Sequence, residues 1–145
     1  MNGNALFIAA TGQNVGKTTL CLGIQAALRK HFTSVGFMKP VGQQHVKIDT
    51  EGLLADKDAY LFKELFQIPD PYRLMSPVIF PAGFTRQHLD GKTDVDLLKS
   101  QIINAFKHIT SNHPLTIVEG TGHVGVGSLV GINNADVASM LGLKT

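Results

Sequence analysis

Three observations predict an α/β fold built on a mostly parallel sheet with helices on both faces. A fully apolar run, Ala5 to Ala9, leads straight into the loop ATGQNVGKTTL. A helical period then gives way to a second short strand-like stretch, Ser34 to Met38. A third buried-type run, Leu115 to Val118, ends directly in Glu119-Gly120-Thr121-Gly122. Continuous apolar strands belong to sheets covered on both faces, and such sheets present ligand groups at the carboxyl ends of their strands.

The elements follow in order. Leu20, Ile24, Ala27 and Leu28 recur at helical spacing from Thr18 onward, with Arg29-Lys30-His31 placing positive charge in the last turn, where the helix dipole favours it. Strand, glycine-bearing turn, helix and strand make a βαβ unit with a right-handed crossover. Residues 42 to 56 are polar and irregular, a surface or ligand loop. Lys57 to Phe66 is predicted helical, with Ala59, Phe62 and Phe66 on one face. Pro69, Pro71, Pro77 and Pro81 punctuate a coil with a short strand at Pro77 to Phe80. PAGFTRQHLDG has no clean period, and a loop of that length is either functional or a plain surface excursion. Asp94 to Ile109 is the longest helical pattern, capped by Thr93 or Asp94. A last helix is expected from Asn134 to Leu141, with Gly142 as its C′ residue.

Composition narrows the function classes. With 145 residues the chain suits one domain. A formal net charge of +2, with no Lys/Arg cluster, argues against nucleic acid as a partner. No apolar run reaches the ~18 residues a membrane span requires, and no signal-type segment opens the chain, so a cytoplasmic location is expected. The single cysteine, Cys21, lies in an apolar helical pattern and reads as buried filler. The histidines have no metal-type spacing.

The 10–20 stretch carries the chemistry. It fits G-x-x-x-x-G-K-S/T except that Thr11 stands at the first glycine, with Gly12 beside it. Backbone N–H groups of such a loop, with the N-terminus of the next helix, point at phosphates. Gly12 and Gly16 permit the turn, Lys17 can reach the β/γ-phosphates, and the Thr18 hydroxyl can ligate Mg²⁺. Gln13, Asn14 and Val15 complete the cradle, and Thr19 adds a hydrogen bond to the α-phosphate. Glu119, at the end of a buried strand, is placed for a role around Mg²⁺, or is an ordinary N-cap or surface acid. Lys39 ends the second strand on the same side and can neutralise phosphate or substrate charge, or be a solvated lysine.

ATGQNVGKTT, VGFMKPVG, DKDA and VEGTG, in that order, resemble dethiobiotin synthetase and its relatives among the phosphate-loop amidoligases. The resemblance implies a three-layer P-loop NTPase of the SIMIBI type. It puts the family's nucleotide lysine on Lys17, its magnesium hydroxyl on Thr18, and the lysine that holds phosphate and the carbamate intermediate on Lys39. Its two magnesium-associated acids fall on Asp58 and Glu119, and Asp58 is singled out by the resemblance alone. The sequence departs from the family at Asn14, at Gly122-His123 and throughout SPVIFPAGFTRQHLDG, where no diamine-binding region is recognisable. That segment is more similar to the dethiobiotin-synthetase-like N-terminal domain of some phosphate acetyltransferases and of DRTGG-type proteins.

The expectation is therefore an ATP- or ADP-binding domain with Mg²⁺, regulatory or nucleotide-sensing within a larger protein. The alternative is an ATP-dependent ligase working through an acyl phosphate, with Lys17, Lys39 and Glu119 as its catalytic set. Three strands make a thin sheet for such a domain, so residues 1–145 are expected to be the N-terminal part of one nucleotide-binding domain with later strands missing, or else a genuinely small domain; the family's length implies the former. An open strand edge would then favour self-association as a homodimer, and a C-terminal transferase or regulatory domain is the expected partner. Arg86 is the best unassigned candidate for binding an anion or a partner, and His123 is either site-facing or solvated.

Overall fold

The computed structural model of the chain describes residues 4–49, 52–80, 82–122 and 126–144. In chain order the elements are β1 (Asn4–Ile8), α1 (Lys17–Leu28), β2 (Val35–Met38), β3 (Val41–Gly42), β4 (His45–Lys47), β5 (Leu54–Asp56) and α2 (Lys57–Phe66). They continue with α3 (Tyr72–Met75), β6 (Val78–Ile79), α4 (Phe84–Leu89), α5 (Val95–Asn112), β7 (Leu115–Glu119), a 3-10 turn at Ser128–Val130, and α6 (Asn134–Met140).

The main sheet is parallel with strand order β1-β7-β2, so the chain's last strand lies between its first two. Past Pro40, β3 pairs in parallel with β6. This is the parallel-sheet architecture of a P-loop NTPase. The strand alternation assigns helices to both faces. Gly36 and Thr116 face α5, where a Cβ on Gly36 would stand 2.8 Å from Ile109 Cγ2 and 2.9 Å from Thr116 Oγ1. Phe37 points the other way and stacks on Phe62 of α2, with ring centroids 3.7 Å apart. Phe37, Phe62, Ile102, Ile109 and Ile117 are fully buried and form the centre of the core.

Several local expectations change. β1 is an edge strand among the described residues, and Asn4, Leu6 and Ala9 are exposed, so its apolar run is not covered on both faces. On α1 the buried positions are Cys21 and Gln25, while Leu20 and Ala27 face outward. Gln25 wins its buried place because its Nε2 donates to the Val35 carbonyl at 2.9 Å, tying α1 to β2. Arg29 is the C-cap rather than a last-turn residue; it lies over the Phe66 ring and donates to the Phe66 carbonyl.

The irregular 42–56 stretch contains the antiparallel hairpin β4–β5. Its turn is held by Leu53 N–H donating to Asp49 Oδ1 and by Gly52 at φ 87°. α3 follows directly on Pro71, which is its N-cap, so a helix begins inside a stretch read as coil. α4 occupies part of the aperiodic segment, with Gly83 at its N-cap. The strand at 78–79, α2, Asp94 as the cap of α5, and Gly142 at φ 66° beyond α6 agree with the sequence reading. No helix among the described residues is long and apolar enough to cross a membrane.

Candidate functional site

The carboxyl ends of β1, β2 and β7 open onto a cavity of about 340 Å³. The 13–19 loop, Lys39, Asp56, Asp58 and Gly122 line it. The loop runs from β1 to α1 through two left-handed residues, Asn14 at φ 56° and Gly16 at φ 87°. Asparagine tolerates that region better than most residues and glycine adopts it freely. A Cβ on Gly16 would meet nothing, so its backbone angle, and not crowding, calls for glycine.

Glu119 lies behind this wall, not among its lining residues, and is held to two of them. It is fully buried, and its Oε1 accepts from Lys17 Nζ at 2.8 Å and from the Thr18 hydroxyl at 3.0 Å. Lys39 Nζ stands 3.6 Å from the same oxygen. Lys39 is itself buried; it pairs closely with Asp58 Oδ2 and lies 3.5 Å from Asp56 Oδ1. Thus Lys17, Thr18, Lys39, Asp58 and Glu119, named from sequence at separate places in the chain, form one cluster. Neither Lys39 nor Glu119 is a solvated surface group.

Asp56 is the residue that sequence reasoning missed. It is 1% exposed, caps α2 by accepting from Asp58 N–H at 2.9 Å, and leaves Oδ2 without a hydrogen-bond partner among the described residues. An aspartate directly before the α2 pattern is an ordinary N-cap signal, and that signal was legible. Its approach to Lys39 was not, because it depends on Gly42: a Cβ there would lie 2.5 Å from Asp56 Oδ2. Glu119 Oε2 is likewise buried without a partner among the described residues.

Charge and burial compete across this cluster. Burial raises the Asp56 pKa, and Lys39 only partly offsets it. For Lys39 burial alone acts downward, but Asp56, Glu119 and Asp58 together outweigh it, so the ammonium titrates above its ordinary value. Burial, reinforced by Glu119, pushes the Cys21 thiol up to about 12, which suits filler and not a nucleophile.

The glycines after β7 have defined work. A Cβ on Gly120 would lie 2.6 Å from Asn134 Oδ1, the oxygen that accepts from Thr121 N–H at 2.8 Å. The α6 N-terminus is thereby fastened to the end of β7. Val15 and Thr19 are in the cavity wall with Gln13 and Asn14, whereas Gly12 is not among its lining residues. Arg86 is exposed on α4 and lies outside the cavity wall. His123 falls outside the described residues.

The chain's sequence matches the model of a family described as AAA domain over residues 4–145. It belongs to that family. It is 32% identical over 124 residues to the ATP-dependent dethiobiotin synthetase of Nitrosopumilus maritimus, an alignment covering 83% of this chain and 51% of the relative. A second such synthetase, from Caldicellulosiruptor saccharolyticus, is 30% identical over 84% of this chain and 49% of its own length. The phosphate acetyltransferase of Nitrosomonas europaea is 31% identical over 95% of this chain but only 18% of the relative. The chain is a dethiobiotin-synthetase-like, nucleotide-binding P-loop domain that spans about half the length of the synthetases it matches.

Among the described residues no group of three or more His, Cys, Asp or Glu side chains is gathered to hold a metal ion unaided. The donor set nevertheless fits Mg²⁺, a hard cation that usually keeps waters and shares protein carboxylates with phosphate oxygens. The Thr18 hydroxyl sits at the Glu119 carboxylate, whose second oxygen has no partner among the described residues.

Proposed function

We propose that this chain binds Mg-ATP and serves as the phosphoryl-transferring portion of an ATP-dependent ligase of the dethiobiotin synthetase type. The observation that carries the reading is the meeting of Lys17, the Thr18 hydroxyl and Lys39 around one oxygen of Glu119 at the mouth of the loop. Phosphoryl transfer asks a protein mainly for positioning and for charge placed against the phosphate oxygens. Loop N–H groups hold the β- and γ-phosphates, and Lys17 swings from Glu119 to the phosphate oxygens. Lys39 faces the transferred group together with its acceptor, a carboxylate or carbamate oxygen. That oxygen attacks the γ-phosphorus, the bond to the bridging oxygen breaks, and ADP leaves; an amine then displaces phosphate from the acyl phosphate. Thr18, Glu119 and Asp58 are the residues that would hold Mg²⁺, directly or through water, and the ion would supply positive charge to the phosphate oxygens.

The synthetase relatives support this reading over a purely regulatory one. A nucleotide-sensing domain of a larger, phosphotransacetylase-like protein is the second reading. It is favoured by the alignment with an acetyltransferase over 95% of this chain and by the unfamiliar 77–91 segment. Calorimetric titration with MgADP tests the shared part: Lys17→Ala is expected to weaken binding at least ~10-fold, in line with charge-assisted hydrogen bonds of roughly 1.5–3 kcal/mol. Unchanged affinity would refute the nucleotide site. Lys39→Ala separates the two readings. A ligase loses ATP turnover while MgADP affinity stays within a few-fold, whereas a sensing domain shows no turnover before or after the change.

A further inference from the structure

Three carboxylates surround the Lys39 ammonium. It pairs most closely with Asp58 Oδ2 and stands 3.5 Å from Asp56 Oδ1 and 3.6 Å from Glu119 Oε1. None of the four side chains is more than 9% exposed. Two of the three acids have other calls on them. Glu119 Oε1 also accepts from Lys17 and Thr18, and Asp58 and Glu119 are the acids that would hold Mg²⁺.

Asp56 is seated differently. Its N–H donates to Ser76 Oγ at 2.9 Å, its Oδ1 accepts from Asp58 N–H at 2.9 Å, and its strand pairs with β4 through His45. Gly42 packs against its other oxygen, where a Cβ would stand 2.5 Å from Oδ2. The Lys39 backbone is fastened beside it, its N–H donating to the Met75 carbonyl at 2.7 Å. Met75 and Ser76, consecutive and buried at the end of α3, thus brace both members of the Lys39–Asp56 pair. Capping does not account for the charge on Asp56. Asparagine or serine caps a helix as well as aspartate does, and burying a carboxylate has a desolvation cost that a neutral cap avoids. What the carboxylate adds is a fixed anion beside the Lys39 ammonium.

We propose that Asp56 is the positioning residue of Lys39. A lysine ammonium is a point charge on a flexible stem, so its counter-charges decide where it sits. When Mg²⁺ engages Asp58 and Glu119, Asp56 is the carboxylate that stays with Lys39 and keeps its ammonium at the cleft. Asp56 acts only through Lys39 and touches neither phosphate nor acceptor. The inference rests on the proposed function, in which Lys39 faces the transferred phosphoryl group.

Calorimetric titration with MgADP, in the presence and absence of beryllium fluoride, tests this without any turnover. Fluoroberyllate is an anionic stand-in for the γ-phosphoryl group, so the factor by which it tightens MgADP binding reports how well Lys39 faces that group. The unaltered chain is expected to gain about tenfold, the scale of one charge-assisted hydrogen bond, and Lys39→Ala to lose that gain. Asp56→Asn keeps the cap; it is expected to hold MgADP affinity within about threefold, and so to be folded, yet to cut the gain about fivefold or more. The double variant is expected to bind MgADP with fluoroberyllate as Lys39→Ala does, whereas a general loosening of the cleft would weaken it further. A gain absent from the unaltered chain, or surviving Lys39→Ala, would remove the proposed function and this inference together. A gain lost in Lys39→Ala but kept in Asp56→Asn would overturn the inference alone. So would a further loss in the double variant, or loss of MgADP affinity itself in Asp56→Asn.

Discussion

The two ends of the β2–β7 pair each bury ionisable groups, yet they are finished differently. At the amino end, His113 bridges Ser34 Oγ at 2.9 Å and Asp70 Oδ2 at 2.6 Å, with the imidazole and the aspartate both buried. Lys63 donates to the carbonyls of Ile68 and Asp70, closing the connection beneath. At the carboxyl end, Asp56 and Glu119 each retain a buried oxygen with no partner among the described residues, beside two lysines and an open cavity. A completed set of partners fits a group that holds the fold. An incomplete one, next to open space, fits a group that waits for a ligand. The amino-end trio has the residue types of a Ser–His–Asp constellation, but Ser34 and Asp70 both bond the His113 ring within the buried interior.

Substitutions at the two ends should separate stability from binding. His113→Ala strips Asp70 of its buried partner and is expected to cost about 3–5 kcal/mol in denaturant unfolding while leaving MgADP affinity intact. Glu119→Gln should act on binding instead: Lys17 is freed for phosphate, so metal-free ADP is expected to bind tighter, while the gain in affinity on adding Mg²⁺ shrinks. If both variants moved the same observable, the contrast would fail. Gly36→Ala is the next largest effect. Its new Cβ would meet Ile109, His113 and Thr116 at under 3.0 Å, and overpacking of a tight core costs about 1–3 kcal/mol.

The smallest effect concerns Asp56 and pH. Its folded pKa is raised, so the stability it contributes is complete below its unfolded value near ~3.9 and is lost as pH rises through the folded value. Asp56→Asn keeps a cap for Asp58 N–H and removes this dependence. At neutral pH it is expected to match or exceed the unaltered chain's stability by up to ~1.4 kcal/mol per unit of the raised pKa. A variant less stable than the original at every pH would show that the Lys39 pairing outweighs burial.

β1, β2, β6, β7, α2, α5, α6 and the phosphate loop were legible because each rests on local chemistry: an apolar run, a period, a cap or a glycine at the required φ. Lys17, Thr18 and Glu119 could be read for the same reason, lying at the ends of predicted elements. The misread parts depend on tertiary neighbours. Leu20 faces outward and Gln25 inward because the latter reaches the Val35 carbonyl, a contact with no trace in the helical period. The loop containing Asp49 and Gly52 becomes a hairpin through one side-chain hydrogen bond.

Glu119 Oε1 already takes a proton-bearing partner from both Lys17 and Thr18. An arriving phosphate therefore meets an ammonium that an internal anion has neutralised, and must trade places with it. Affinity for nucleotide becomes the difference between two anions competing for one cation. In the proposed nucleotide site the carboxylate would act as a built-in competitor, so that a phosphate ligand displacing it must also satisfy the backbone cradle.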